Sequence, residues 1–198
     1  MNTVHRPLTM WLLAALASAN VHAVSDADRV PVLVVVLHNY AAIAPRILEQ
    51  AAREVARVYG DLGVEVRWIA PLAELANPKD ILNETLIATV HLRLFERDGR
   101  DRAFDGVIGI DAPSATGGLV TVAHVLYKPV GDESTSALAL AYVMAHLIGS
   151  VAMTPDGPRP STIMRAGHGE AERLQRGESP FSRDEADRIR LGARVAGR

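Results

Sequence analysis

The sequence predicts an α+β (mixed α/β) fold, with a mixed sheet of about five strands, a long first helix, a central helix and a small C-terminal helical part. Three observations lead to this class. A continuous β-branched run at 30–37 is typical of a strand covered on both faces. The segment 45–62 repeats its apolar residues at helical spacing. Several shorter runs then alternate like strands before a second, strongly apolar helix, and such an order favours layered packing of helices on a sheet.

The first helix follows the first strand directly. Pro45 suits its first turn, and Gly60 and Gly63 mark its end. The alternating segment 64–68 predicts a second strand. Because two strands joined by a helix usually run in the same direction, we expect this first pair to be parallel.

Further strands are predicted at 86–94, 106–110 and 119–127. In the first of these, alternate residues are apolar, so one face is expected to be exposed. The central helix begins near 132–136 and is apolar almost all round, which is typical of a helix buried on every side. The last helix begins at Ser182, and Glu185 three residues later completes a capping box.

The N-terminal residues have the pattern of an export signal. A charged residue, Arg6, precedes the apolar run 8–17, and small residues suit cleavage after Ala19 or Ala23. We therefore expect a signal peptide at 1–23, a single domain at 24–198, and a periplasmic or extracellular location. An uncleaved N-terminal anchor is the alternative; after cleavage no membrane association is expected.

Composition excludes several classes of function. The chain has 198 residues, of which 48 % are hydrophobic and 22 % charged, so it is long and apolar enough for a packed core. A net charge of −2 without a basic stripe argues against nucleic acid as a partner. The absence of cysteine excludes disulfides, a thiolate metal site and a cysteine nucleophile.

One motif stands out in the central helix. The residues Ala145-His146-Leu147-Ile148-Gly149-Ser150 are followed, after a Pro- and Gly-rich segment, by Ile163-Met164. In an H-E-x-x-H helix two histidines at i and i+4 bind one zinc ion, and the glutamate acts as the general base. Only the first histidine of that pattern is present.

With the order of strands and helices, these residues make the chain resemble small secreted bacterial metalloproteases of the zincin type, in the metzincin or matrixin-like group. The resemblance implies a zinc ligand at His146, a general base where Leu147 stands, a second ligand where Ser150 stands, and a Met turn at Met164. Counting from His146 places a third ligand at Asp156; counting back from Met164 places it at Pro158, which cannot bind metal. His168 is a further candidate ligand, in a segment expected to be a solvated loop.

Zinc catalysis needs about three protein ligands and a base, so the resemblance implies a degenerate member without a cofactor. The predicted function is an exported, inactive metalloprotease homologue with a peptide-binding cleft, edged by the strand of Thr121, Ala123 and Val125. Two alternatives remain open: a divergent zinc-dependent endopeptidase using His146 with Asp156 or His168, and a structural periplasmic domain. The partner is a peptide or protein, the oligomeric state is open, and no site role is assigned to His38 or His91.

Overall fold

The protein forms one mixed sheet with its described helices packed against it. The computed structural model describes residues 30–69, 86–97, 106–111, 120–153 and 163–196. Its strands are β1 (Val32–Asn39), β2 (Glu65–Ile69), β3 (Leu86–Glu96), β4 (Val107–Asp111), β5 (Val120–Tyr127) and β6 (Ile163–Ala166). Its helices are α1 (Pro45–Gly60), α2 (Glu133–Met153), α3 (His168–Gln175) and α4 (Arg183–Ala196). The expected signal peptide, 1–23, and the candidate ligand Asp156 lie outside the described residues.

The strand order in the sheet is β2-β1-β3-β5-β4-β6. The strands β1, β2, β3 and β5 run parallel, and β4 pairs antiparallel with both β5 and β6. The mixed α/β class and the parallel first pair are therefore confirmed. The sheet has six described strands rather than about five, because the segment around Met164 adds β6 beyond β4.

The helix α1 covers the sheet with the apolar stripe predicted from its spacing. Its buried residues are Ile47, Ala51, Val55, Val58 and Tyr59. Past its end the chain turns through Gly63, whose φ of +74° lies in the left-handed region that favours glycine. The Tyr59 hydroxyl donates a hydrogen bond to the Ala145 carbonyl at 2.8 Å, which joins α1 to α2 inside the core.

The helix α2 is the centre of the fold. It packs against β3, β4, β5 and β6 on the sheet side and against α1, α3 and α4 on its other sides, which explains why its sequence is apolar almost all round. Asp132 caps it, because its carboxylate accepts a hydrogen bond from the Thr135 amide at 2.8 Å. No helix in the described ranges has the length and hydropathy needed to cross a membrane.

The C-terminal part contains two helices. The capping box predicted for α4 is confirmed: the Ser182 amide donates to the Glu185 carboxylate at 2.8 Å, and the Glu185 amide donates to the Ser182 hydroxyl at 3.3 Å. The prediction of a solvated loop around His168 is wrong, since His168 begins α3. Glu170 stabilises that start by accepting a hydrogen bond from the Gly167 amide at 2.9 Å. This capping contact across three residues favours a helix, and the prediction of a loop did not take it into account.

Candidate functional site

The position that the resemblance assigns to a general base is part of the hydrophobic core. Leu147 is fully buried and faces β4 at Gly109. A Cβ atom at Gly109 would stand 2.5 Å from Val143 Cγ1 and 3.0 Å from Leu147 Cδ1. Glycine at this position therefore lets α2 approach the sheet closely, and Leu147 fills the space between them.

His146 lies on another face of α2, enclosed by aromatic rings. Its ring centroid is 4.7 Å from that of Tyr142 and 5.2 Å from that of Phe181. The residue is 8 % exposed, and neither ring nitrogen has a hydrogen-bond partner of good geometry within the described part of the chain. Burial lowers the pKa of His146, with a partial opposing effect from the Glu185 carboxylate, so the buried ring favours the neutral form.

Those other residues of the zinc pattern that the structure describes do not gather around His146. Ser150, one turn further on, donates a hydrogen bond to the Leu147 carbonyl at 2.8 Å. Met164 is not in a turn: it lies within β6, paired with Gly109, so the prediction of a Met turn is wrong. The physical reason is that β4 offers a free edge, with which the segment 163–166 pairs.

His168 is also distant from His146. Its ring lies beside Gly131, where a Cβ atom would be 2.7 Å from His168 Cε1, just before the first turn of α2. His146 lies 13 residues after the start of α2 at Glu133, which is about 20 Å further along at 1.5 Å per residue. The two imidazoles therefore do not converge, and no three His, Asp or Glu residues of the described ranges are placed to hold one metal ion.

The strand predicted to edge a peptide-binding cleft is an interior strand. Ala123 pairs with Leu92 of β3 and with Asp111 of β4, and Val125 pairs with Leu94 and Gly109. Thr121 pairs with Val90 of β3. The prediction of an edge strand at these residues is therefore wrong: β4 lies between β5 and the sheet edge, so Ala123 and Val125 have no backbone groups left for an added strand.

The structure instead brings together histidines and aromatic residues of β1, β3 and β5, with one residue just after β1. We call this set, His38, Tyr40, His91, Phe95 and His124, the imidazole–aromatic cluster. The core residues Leu92 and Leu94 of β3 face the helices. Because side chains alternate along a strand, His91 and Phe95 project from the opposite face.

Ring contacts connect the cluster throughout. The His38 and His91 rings are 5.5 Å apart between centroids, Tyr40 stacks on His38 at 6.0 Å and on Phe95 at 5.3 Å, and Phe95 lies 5.7 Å from His124. His38 Nε2 and His91 Nδ1 are 3.2 Å apart, which is the distance of an imidazole–imidazole hydrogen bond. The contact needs at least one neutral ring.

Local hydrogen bonds hold Tyr40 in place. The Tyr40 amide donates to the Leu94 carbonyl at 2.9 Å. The Asn39 side chain closes the following turn, accepting from the Ile43 amide at 3.0 Å and donating to the Ile43 carbonyl at 2.9 Å. The Tyr40 side chain is 62 % exposed. The backbone at Tyr40 is thus fixed, and the Tyr40 ring is the exposed part of a cluster whose other rings are half-buried.

Electrostatics and topology both make this cluster distinctive. Burial lowers the pKa of His91, and the nearby His38 and Arg93 lower it further, so His91 favours its neutral form. The chain runs from β1 to β2 on one side and then to β3 on the other side of β1. In open α/β sheets ligands bind beside such a reversal at the carboxyl ends of the strands, and of the cluster Tyr40 and Phe95 lie at those ends.

Sequence reasoning missed this cluster. One signal was available, because His91 lies on the polar face of an alternating strand and His38 directly follows an apolar one. The pairing of β1 with β3 was not evident from the sequence, and it is this pairing that joins the two histidines. No family model, curated protein or solved structure matches the chain.

Proposed function

We propose that this protein is an exported, non-catalytic binding protein with a zincin-like scaffold and that its ligand is a peptide or protein. Three features support the proposal: the signal-like segment 1–23, the order of elements from β1 to α2, and the motif at His146. Export is tested by sequencing the N-terminus of the secreted protein. We expect it to begin at Asn20 or Val24, and retention of residues 1–23 would contradict export.

The observation that carries the non-catalytic assignment is the burial of Leu147 against Gly109. A general base must reach water and accept a proton, and a leucine enclosed in the core does neither. Removing a general base typically lowers a rate by about 10²–10⁴-fold. The enclosure of the His146 ring by Tyr142 and Phe181 adds to this, since it leaves the residue only 8 % exposed.

Ligand binding is assigned to the imidazole–aromatic cluster rather than to β5. Tyr40 and Phe95 lie at the carboxyl ends of β1 and β3, where the strand order reverses, and their rings offer apolar faces together with a phenolic hydroxyl. Aromatic residues, tyrosine in particular, contribute much of the affinity in peptide and protein recognition because they bury a large, rigid surface. Tyr40 is the most exposed of these rings, so it is expected to make the first contact with a ligand.

Two experiments test the proposal. In the first, the purified chain is incubated with a mixture of fluorogenic peptides with and without added Zn²⁺. We expect no hydrolysis above that of buffer. Zinc-dependent hydrolysis that disappears in His146→Ala would overturn the proposal in favour of an active endopeptidase.

In the second experiment, a random-peptide display library is selected on the wild-type chain in the presence of a chelator. We expect Tyr40→Ala to reduce capture of the selected peptides at least tenfold. Leu191→Ala is the matched control, because Leu191 is 61 % exposed, like Tyr40 at 62 %, but lies on α4. No capture at all would favour a structural domain without a binding role, and capture that Tyr40→Ala leaves unchanged would show that peptides bind outside the cluster.

A further inference from the structure

We propose that His38 and His91 together bind one divalent transition-metal ion of the Ni²⁺, Cu²⁺ and Zn²⁺ class. The proposal concerns a pair of residues on β1 and β3 and does not depend on peptide binding. It also differs from the zinc site that the resemblance implies at His146, which lies on α2 in the core.

The separation of the two ring nitrogens suits a shared metal ion. His38 Nε2 and His91 Nδ1 are 3.2 Å apart. With metal–nitrogen bonds of about 2.0–2.1 Å, two nitrogens at 3.2 Å enclose an angle of about 100–106° at the metal. That angle lies between the values for square-planar and tetrahedral coordination. The ion would therefore take the place of the proton that the two nitrogens share, and the imidazole rings would turn toward it while the strands stay in place.

The surroundings hold the two imidazoles together. His38 stacks on Tyr40, whose amide is bonded to β3 through the Leu94 carbonyl. The register places His91 beside Val36, two residues before His38, in the parallel pair. Both ligands are therefore carried by a rigid sheet rather than by loops, which reduces the loss of conformational freedom on binding.

Two factors limit the affinity. Within the described ranges no third histidine or carboxylate joins the pair, so water fills the remaining positions. Arg93 lies on the same face and repels a cation, but it is exposed, and repulsion between a divalent ion and a unit charge 4 Å apart in water is only about 2 kcal/mol. Imidazole ligands favour nickel, copper and zinc over the hard cations Mg²⁺ and Ca²⁺, which gives the site its selectivity.

The test is a titration of the full chain with Zn²⁺ alone, followed by nitrogen NMR of the imidazole rings. We expect saturation at one equivalent, with the largest nitrogen shifts at His38 Nε2 and His91 Nδ1, and no comparable effect of Mg²⁺. His38→Gln and His91→Gln should each weaken zinc binding at least about tenfold, since even loss of a residue that only orients a metal ligand costs 10–100-fold.

The matched control is His124→Gln, because His124 belongs to the same cluster but contacts Phe95 rather than the histidine pair. It should change the affinity for zinc by less than about twofold. Zinc binding that persists in His91→Gln, or nitrogen shifts confined to other histidines, would overturn the proposal. Far-UV circular dichroism tests whether each variant is folded. If His38→Gln does not fold, the imidazole nitrogen shifts of the wild-type chain still show whether zinc binds at His38 and His91. Peptide capture in chelator tests the proposed function separately, so either proposal can fail alone.

Discussion

Replacement of Leu147 by glutamate would introduce the general base of the H-E-x-x-H pattern at this position, and we expect it to destabilise the fold severely. Leu147 is fully buried, and its side chain fills the space between α2 and Gly109. Removing a buried leucine side chain from the core costs about 1.5–3 kcal/mol, and an unpaired buried carboxyl adds about 1–3 kcal/mol. Keeping that carboxyl neutral at pH 7 costs about 3–4 kcal/mol more, from its ordinary pKa of about 4.3.

The total loss, about 6–10 kcal/mol at pH 7, compares with a typical free energy of unfolding of about 5–15 kcal/mol. Urea unfolding followed by circular dichroism measures it, with Leu147→Met as a control expected to lose less than about 1.5 kcal/mol. Below about pH 4.3 this glutamate is protonated in both the folded and the unfolded chain, so its raised pKa costs no stability there. As pH rises further, only the unfolded chain ionises, and the variant should lose stability. A loss below about 1 kcal/mol at pH 7 would refute the reasoning, because it would place this side chain in a solvent-filled cleft.

Three further predictions concern other contacts of α2. Gly109→Ala should lower the free energy of unfolding by about 1–3 kcal/mol, because its Cβ clashes with Val143. In urea unfolding, the double variant with Val143→Ala should lose less than the sum of the two single losses, and a loss equal to that sum would argue against the contact. Because burial lowers the pKa of His146, the unfolded chain takes up a proton below about pH 6.5 before the folded one does. The free energy of unfolding should therefore fall as pH falls from there. His146→Phe should remove up to about 1.4 kcal/mol per pH unit of this dependence, and an equal pH dependence of the free energy of unfolding in both proteins would contradict this. Ser136→Ala should lower the melting temperature and cost about 1–3 kcal/mol, because the buried hydroxyl bonds both the amide and the carbonyl of Val130, at 2.8 and 2.9 Å; an unchanged melting temperature would show that water replaces the hydroxyl.

Local patterns predicted most of the secondary structure. The β-branched run of β1, the apolar stripe of α1 and the capping box at Ser182 each depend on residues within a few positions of one another. Short-range sterics and hydrogen bonds decide such features, so the sequence displays them directly. The helix α3 was missed because its start depends on a contact between Gly167 and Glu170 in a glycine-rich stretch that also suits a loop.

Features that depend on strand pairing were not predictable in the same way. The assignment of β5 to an edge failed because the order of strands in a sheet is not the order in the sequence. The Met turn failed for a related reason, since pairing with β4 converts the segment around Met164 into β6. Both errors concern backbone groups whose partners lie far away in the chain.

The mixed α/β class and the absence of cysteine follow from the sequence alone, as does the likeness of the segment at His146 to part of a zinc-binding pattern. The environment of Leu147 depends on long-range packing, because only the close approach of α2 to Gly109 shows that Leu147 is a core residue. The tertiary structure also decided where the other histidines meet. His38 and His91 are separated by 53 residues in the chain, and the parallel pairing of β1 with β3 brings their nitrogens within 3.2 Å. Contacts of that range depend on the packing of the whole sheet, which no local pattern specifies.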